Sequence, residues 1–289
     1  MVLRTPLYLD TDTLFAQADY HEIDVPQREE IVEKTTKRRS GGGKLKLGAG
    51  GTAAGVDASK GSDVERQATY SLEPNLKAKI SKVIDGLISN DAVKTRPTPD
   101  TVLGRDDLVE IEGITRITAA SHFGKLFFIL RRILEDANLE DLEDLPATLS
   151  STDPRLQEQM KRVYLRNELL PMPVLLELER SGLPHKVYVN VDPNHFIDDA
   201  SADRVEGDLR VLGTVSRVID GSQDGYLSAE EWLLSGWEYM LRRTFMTQVE
   251  DVLTELRESW ADVGITLPSG DVNAYISGPA IVVNAIAVY

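Results

Sequence analysis

The sequence predicts an α+β fold of mixed helices and antiparallel strands or hairpins, with no regular βαβ rhythm. Three observations carry this. Segments with apolar residues at helical spacing alternate irregularly with short β-branched runs. Two of those runs are interrupted by a glycine in the manner of a hairpin. The 289 residues are 42% hydrophobic and 27% charged, as in folded chains, but only 6% aromatic, so Leu, Ile and Val must supply most of the core.

Residues 5–9 suit a short strand, and Thr11 or Asp12 would cap a brief helix carrying Leu14, Phe15 and Ala18. Pro26 opens a charged segment running to Thr36. From Arg38 to Gln67 glycine recurs among Ser, Ala and Lys, and chain of that composition loses too much entropy on ordering to pack. The expected organisation is therefore an N-terminal strand and helix in 1–36, a flexible basic linker in 37–69 and a main domain in 70–289. Within the last, 70–150 and 185–289 read as two β-hairpin–helix subunits.

Ser71 would cap a helix through Ile88, with Leu76, Ile80, Val83, Ile84 and Leu87 on one face. A Pro-rich connector spans 94–101. Residues 108–117 alternate apolar and polar on both sides of Gly113, which predicts a hairpin. An apolar helix follows with Phe123, Leu126, Phe127, Leu130, Ile133 and Leu134, ending in an acidic run of Glu135, Asp136, Glu140, Asp141, Glu143 and Asp144. Asp153 and Pro154 open another helix, which Pro171 and Pro173 break before it resumes over Val174 to Arg180. Residues 187–191 read as a strand, 208–219 as a strand pair about Gly213, and 229–260 as one long helix. Strands at 272–277 and 280–288 close the chain. The stretches beginning at Asp107 and Asp208 echo one another: strand, glycine, strand, then helix.

Composition excludes several function classes. A formal net charge of −15 repels phosphate backbones, so nucleic acid is not the expected partner, despite a local basic cluster of Lys37, Arg38, Arg39, Lys44 and Lys46. With no cysteine there are no disulfides, thiolate metal sites or thiol nucleophiles. The N-terminus lacks the basic and apolar regions of a signal peptide, and no apolar run approaches the roughly 20 residues of a membrane span. A soluble, cytoplasmic protein is the expectation.

Catalytic signatures are missing: there is no G-x-S-x-G elbow, no H-E-x-x-H and no dinucleotide fingerprint after a strand. No catalytic residue and no organic cofactor is assigned. Asp192, His195, Asp198 and Asp199 gather metal-binding residue types after a strand, the least implausible basis for a metal-dependent hydrolase or nuclease; a polar turn is the plainer reading. One segment fits a motif position by position. Residues 220–231 match the twelve-residue EF-hand calcium loop: Asp220, Ser222 and Asp224 as side-chain oxygens, Gly225 at the bend, the Tyr226 carbonyl, Ser228 holding a water, and Glu231 closing with two oxygens. Ca2+ is thus the one metal the sequence suggests. Against it, the entering segment 209–219 favours a strand, no second loop pairs with it, and Ser222 removes a carboxylate. The alternative is an Asp/Gly turn into a helix capped by Ser228 with Glu231 completing a capping box.

The start, Leu7-Tyr8-Leu9-Asp10-Thr11 with Leu14 and Ala16-Gln17, the strand Val211-Leu-Gly-Thr-Val215, and the end, Gly278-Pro279-Ala280 with Ile286-Ala-Val-Tyr289, together resemble an uncharacterised prokaryotic family of about this length. The resemblance spans the whole chain and implies a bacterial or archaeal cytoplasmic protein; no catalytic residues come with it. The leading expectation is a non-enzymatic interaction or regulatory protein with a protein partner, with a defence or stress module as its setting. The alternatives are a calcium-binding module at 220–231 and the metal-dependent hydrolase or nuclease.

Overall fold

The computed structural model describes residues 3–25, 74–136, 171–179, 181–197, 204–221, 225–262, 264, 266, 272 and 274–289. Its elements are, in order, β1 (Tyr8–Leu9), α1 (Thr11–Tyr20), α2 (Pro74–Ser89), β2 (Lys94–Thr95), β3 (Leu108–Ile117), α3 (Ala119–Asp136), β4 (Val174–Glu179) and β5 (Lys186–Val191). After a 3-10 turn at Pro193–His195 come β6 (Gly207–Ile219), β7 (Tyr226–Ser228), α4 (Glu230–Leu233), α5 (Tyr239–Met246), α6 (Val249–Asp262), β8 (Tyr275–Ser277) and β9 (Ala280–Val288).

Alternation decides the architecture. Val109 and Ile111 of β3, Leu176 and Leu178 of β4, Val187, Val189 and Val191 of β5, Val211 and Val215 of β6, and Ile281, Val283 and Ala285 of β9 all enter one buried cluster. Side chains two apart share a face, so five such strands bury a common inner surface only by curling round it. They close a five-stranded barrel within the seven-stranded sheet. β3 pairs antiparallel with β4, β4 with β5, β6 with β3, and β9 with β6, while β5 and β9 run parallel. The spatial order β6, β3, β4, β5 is a Greek key, and β9 seals it. The fold is therefore α+β as expected, but built on a closed barrel rather than on separate hairpins.

Glycine marks where the barrel closes tightly. Gly113 and Gly213 do not turn the chain: each lies inside a continuous strand, and β3 and β6 pair with one another from Leu108↔Thr214 to Thr115↔Gly207. A Cβ at Gly113 would lie 2.3 Å from the Glu179 carbonyl oxygen, and one at Gly213 2.4 Å from that of Asn284. The two hairpins expected from sequence are corrected to two long barrel strands, and the internal echo is that of partners in one ladder.

The outer faces of the strands carry two helical layers. On one side α3, α4 and α6 bury Leu175, Tyr188, Ala280 and Val282 beneath Phe123, Phe127, Trp232, Leu253 and Leu256. On the other, α1 and α2 cover Leu108, Leu212 and Ile286 with Leu14, Phe15, Ile80, Ile84 and Leu87. Each such side chain contributes roughly 1.5–3 kcal/mol by leaving water. The N-terminal segment joins this layer: Tyr8 pairs with Val288, and Asp10, rather than Thr11 or Asp12, caps α1 by accepting from the Thr13 amide at 3.1 Å.

Two further expectations are corrected. Residues 174–179 form a strand instead of a resumed helix: Leu and Glu favour helix weakly, but ladders on both sides outweigh propensity. The helix expected over 229–260 is three helices, broken after Leu233 where Gly236 takes φ +80 and its carbonyl accepts from Arg131 Nη1 at 2.6 Å. The helices expected around Asp153, the glycine-rich segment, Ser71, and the acidic run beyond Asp136 lie outside the described residues.

Candidate functional site

Residues 220–231 follow a strand, not a helix. β6 runs to Ile219 and delivers Asp220 directly into the turn. Gly225 is required there, since a Cβ would lie 2.6 Å from Asp220 Oδ1 and 2.5 Å from its carbonyl oxygen. Ser222 and Asp224 lie outside the described residues. Tyr226 and Ser228 belong to β7, paired with Ser277 and Tyr275. The Ser228 hydroxyl accepts from the Glu230 amide at 3.3 Å, but the cap position of α4 is Ala229, not Ser228 as the helix-capping alternative expected. Glu231 is exposed in the first turn of α4. Among the described residues the frame is thus a strand before the segment, then a short strand and a helix. Among the described residues no three His, Asp or Glu side chains group as metal ligands would.

The second candidate divides similarly. Asp192 caps the 3-10 turn, accepting from the Asn194 amide at 2.8 Å, and its own amide donates to the Tyr8 hydroxyl at 3.2 Å. His195 Nδ1 sits 3.8 Å from Asp10 Oδ1, its ring edge-on to Tyr8. Asp198 and Asp199 lie outside the described residues. Asp10 and Asp192 already hold helix and turn starts, so the described geometry joins β1 to the 3-10 turn.

A buried ionic cluster escaped the sequence reading. Arg4, 6% exposed, donates through Nη1 to Asp85 Oδ1 at 2.6 Å and lies 3.7 Å from Glu110. Its amide donates to the Ser81 hydroxyl at 2.8 Å, and its guanidinium faces the Tyr289 ring. The Tyr289 hydroxyl donates to Glu110. Burial, reinforced by that bond and by the Glu110 charge, pushes the Tyr289 hydroxyl far above its usual range, so it remains a donor. The cluster ties the two ends of the chain to α2 and β3, a fastening rather than an accessible reaction centre. No sequence signal pointed to it, because its members are 81, 106 and 285 positions away from Arg4.

The surface offers more. Most large apolar side chains are buried, yet Tyr226, Tyr239 and Met240 are 64%, 53% and 65% exposed. On α5, Tyr239, Arg242, Arg243 and Met246 fall on one face by their spacing. Arg243 Nη1 donates to the Tyr239 hydroxyl at 3.0 Å, and both guanidinium carbons lie 5.9 Å from the Tyr239 ring centroid. At the far end of α5 the Tyr275 hydroxyl donates to the Met246 carbonyl at 3.3 Å, and Tyr226 packs edge-on against Tyr275 at 5.5 Å. The result is an exposed cluster of Tyr239, Arg242 and Arg243 on α5 and an aromatic pair, Tyr226 and Tyr275, across β7 and β8, with the buried Met246 between them. On the outer faces of β4 and β5, Leu175 and Tyr188 are buried under helices, with Trp232 Nε1 donating to Asn190 Oδ1 at 2.9 Å.

No helix among the described residues is long and apolar enough to cross a membrane. The segments that carried the family resemblance meet in space, since Val288 of β9 pairs with both Tyr8 and Val211. A family model described as "Domain of unknown function (DUF6414)" matches residues 3–289. No curated protein and no solved structure matches the chain.

Proposed function

The chain belongs to the DUF6414 family, whose description carries no activity, and on its own surface chemistry we propose that it is a non-enzymatic interaction protein docking a protein partner on α5, β7 and β8. One observation carries this reading: Tyr226, Tyr239 and Met240 are more than half exposed, and Arg242 and Arg243 lie against the Tyr239 ring. Tyr, Met and Arg are the residues enriched at the centres of protein interfaces and among their hot spots. Leaving three large apolar side chains in water wastes burial that a partner would recover.

The test is affinity capture from the source cells with wild-type protein and with Met240→Glu. A partner retained by the wild type, lost from the variant, and binding directly as a purified protein supports the reading. Identical captured sets with both baits would sink it. The substitution lies on the exposed side of α5, so the fold should be unchanged by circular dichroism.

A further inference from the structure

We infer that Tyr239, Arg242 and Arg243 form a carboxylate clamp, and that the partner docked on α5 presents a short acidic segment with an apolar anchor. This rests on the reading of α5 as a docking face and specifies its chemistry. The 47 acidic residues outnumber the 32 basic ones, so an arginine without a carboxylate neighbour stands out. Arg4, Arg116 and Arg210 each have such a neighbour, in Asp85, Glu179 and Glu112. Among the described residues neither Arg242 nor Arg243 is ion-paired with a carboxylate, and the Glu230 charge acts on Arg243 only from beyond ion-pair distance. Both are held instead against one tyrosine ring.

Arg242 is the more telling of the two. Its Nε is buried and has no hydrogen-bond partner. A donor buried in this way holds the side chain in place but is shielded from a ligand, so a carboxylate must meet the guanidinium through its outer Nη groups. Adjacent guanidinium groups repel; the negative face of Tyr239 offsets part of that, and an arriving carboxylate would offset the rest. A guanidinium offers parallel N–H groups that fit a carboxylate's two oxygens, so the pair can take two acidic side chains in bidentate geometry. Met240, exposed on the same helix and three positions before Arg243, supplies the apolar contact.

The whole-chain charge of −15 selects among anions. A nucleic-acid backbone or an anionic bilayer carries dense charge across a wide face and is repelled by the acidic remainder. A peptide with two or three carboxylates meets only what lies within a Debye length of about 8 Å at physiological salt. An acidic peptide thus fits the local pair and tolerates the global field.

A displayed library of random dodecapeptides, panned on the full chain and counter-panned on Arg242→Gln/Arg243→Gln, tests this. Enriched peptides should carry at least two Asp or Glu beside Leu, Met or Phe. The synthesised peptides should lose about tenfold or more in affinity against the double variant. Arg242→Lys/Arg243→Lys, which keeps the charge but not the fork, should fall between. Failure to enrich any peptide, enrichment of non-acidic ones, equal binding to the Gln variant, or tighter binding of an oligothymidylate would each overturn the clamp. If Met240→Glu abolishes partner capture while the Gln variant does not, the docking face stands and the clamp falls. If neither variant alters capture, the docking face itself is wrong.

Discussion

Replacing Gly213 with alanine tests whether the barrel closes as described. The new Cβ would sit 2.4 Å from the Asn284 carbonyl oxygen and 2.6 Å from Val283 Cγ1, where ordinary contact begins near 3.4 Å. Something must move by about 1 Å. Both obstacles belong to β9, which is hydrogen-bonded to β6 on one side and β5 on the other, so it cannot retreat without breaking a ladder. Overfilling a packed interior costs about 1–3 kcal/mol. Alanine also restricts the unfolded chain, which returns about 0.4–1 kcal/mol. The expected net loss is about 1–2 kcal/mol. In urea, with a slope of about 3 kcal/mol per molar, the midpoint should drop by about half a molar. Gly104→Ala is the control: its nearest obstacle is Asp107 Oδ2 at 3.7 Å, so the same substitution should leave the midpoint unchanged or raise it slightly. If Gly213→Ala proves as stable as Gly104→Ala, β9 does not close over β6 and the barrel is open along that seam.

Two other outcomes follow from buried charge. Arg4→Met strips the cation from Asp85 and Glu110, and breaking a buried pair in this way costs about 3–5 kcal/mol; amide exchange at residues 7–10 should accelerate more than at β5, and uniform protection would contradict the fastening role. Burial lowers the His122 pKa, Lys125 pushes the same way, and Glu206 opposes them. A folded-state pKa below the unfolded one means the unfolded chain binds the extra proton. That share of stability is complete above the unfolded value of about 6.5 and is lost as pH falls through the window below it. His122→Gln should flatten the pH dependence of the denaturation midpoint there, and an unchanged slope would refute the assignment.

What was legible in the sequence was whatever depends on near neighbours. The helical faces of Leu76–Leu87 and Phe123–Leu130 and the strands at 187–191 and 280–288 were readable because periodicity is local. Gly113 and Gly213 looked like turns because glycine frees the backbone; only the approach of Glu179 and Asn284, 66 and 71 positions away, shows that the missing Cβ is what matters. Residues 174–179 carry helix-forming Leu and Glu, and β3 and β5 on either side make them a strand. For the candidate site the division is similar. The calcium-loop pattern at 220–231 is a run of adjacent residues, so it could be seen at once, yet the element entering it is a barrel strand committed to β9. The exposed face of α5 was invisible because Tyr239 and Met240 read as part of one long helix. The break at Gly236 turns that face outward, and the turn is held by Arg131, more than a hundred positions earlier. Composition and period therefore determined α1 to α3, several strands and the acidic charge of this protein. Barrel closure, the Arg4 cluster and the exposed α5 face were decided by contacts between distant segments, whose energies no local pattern encodes.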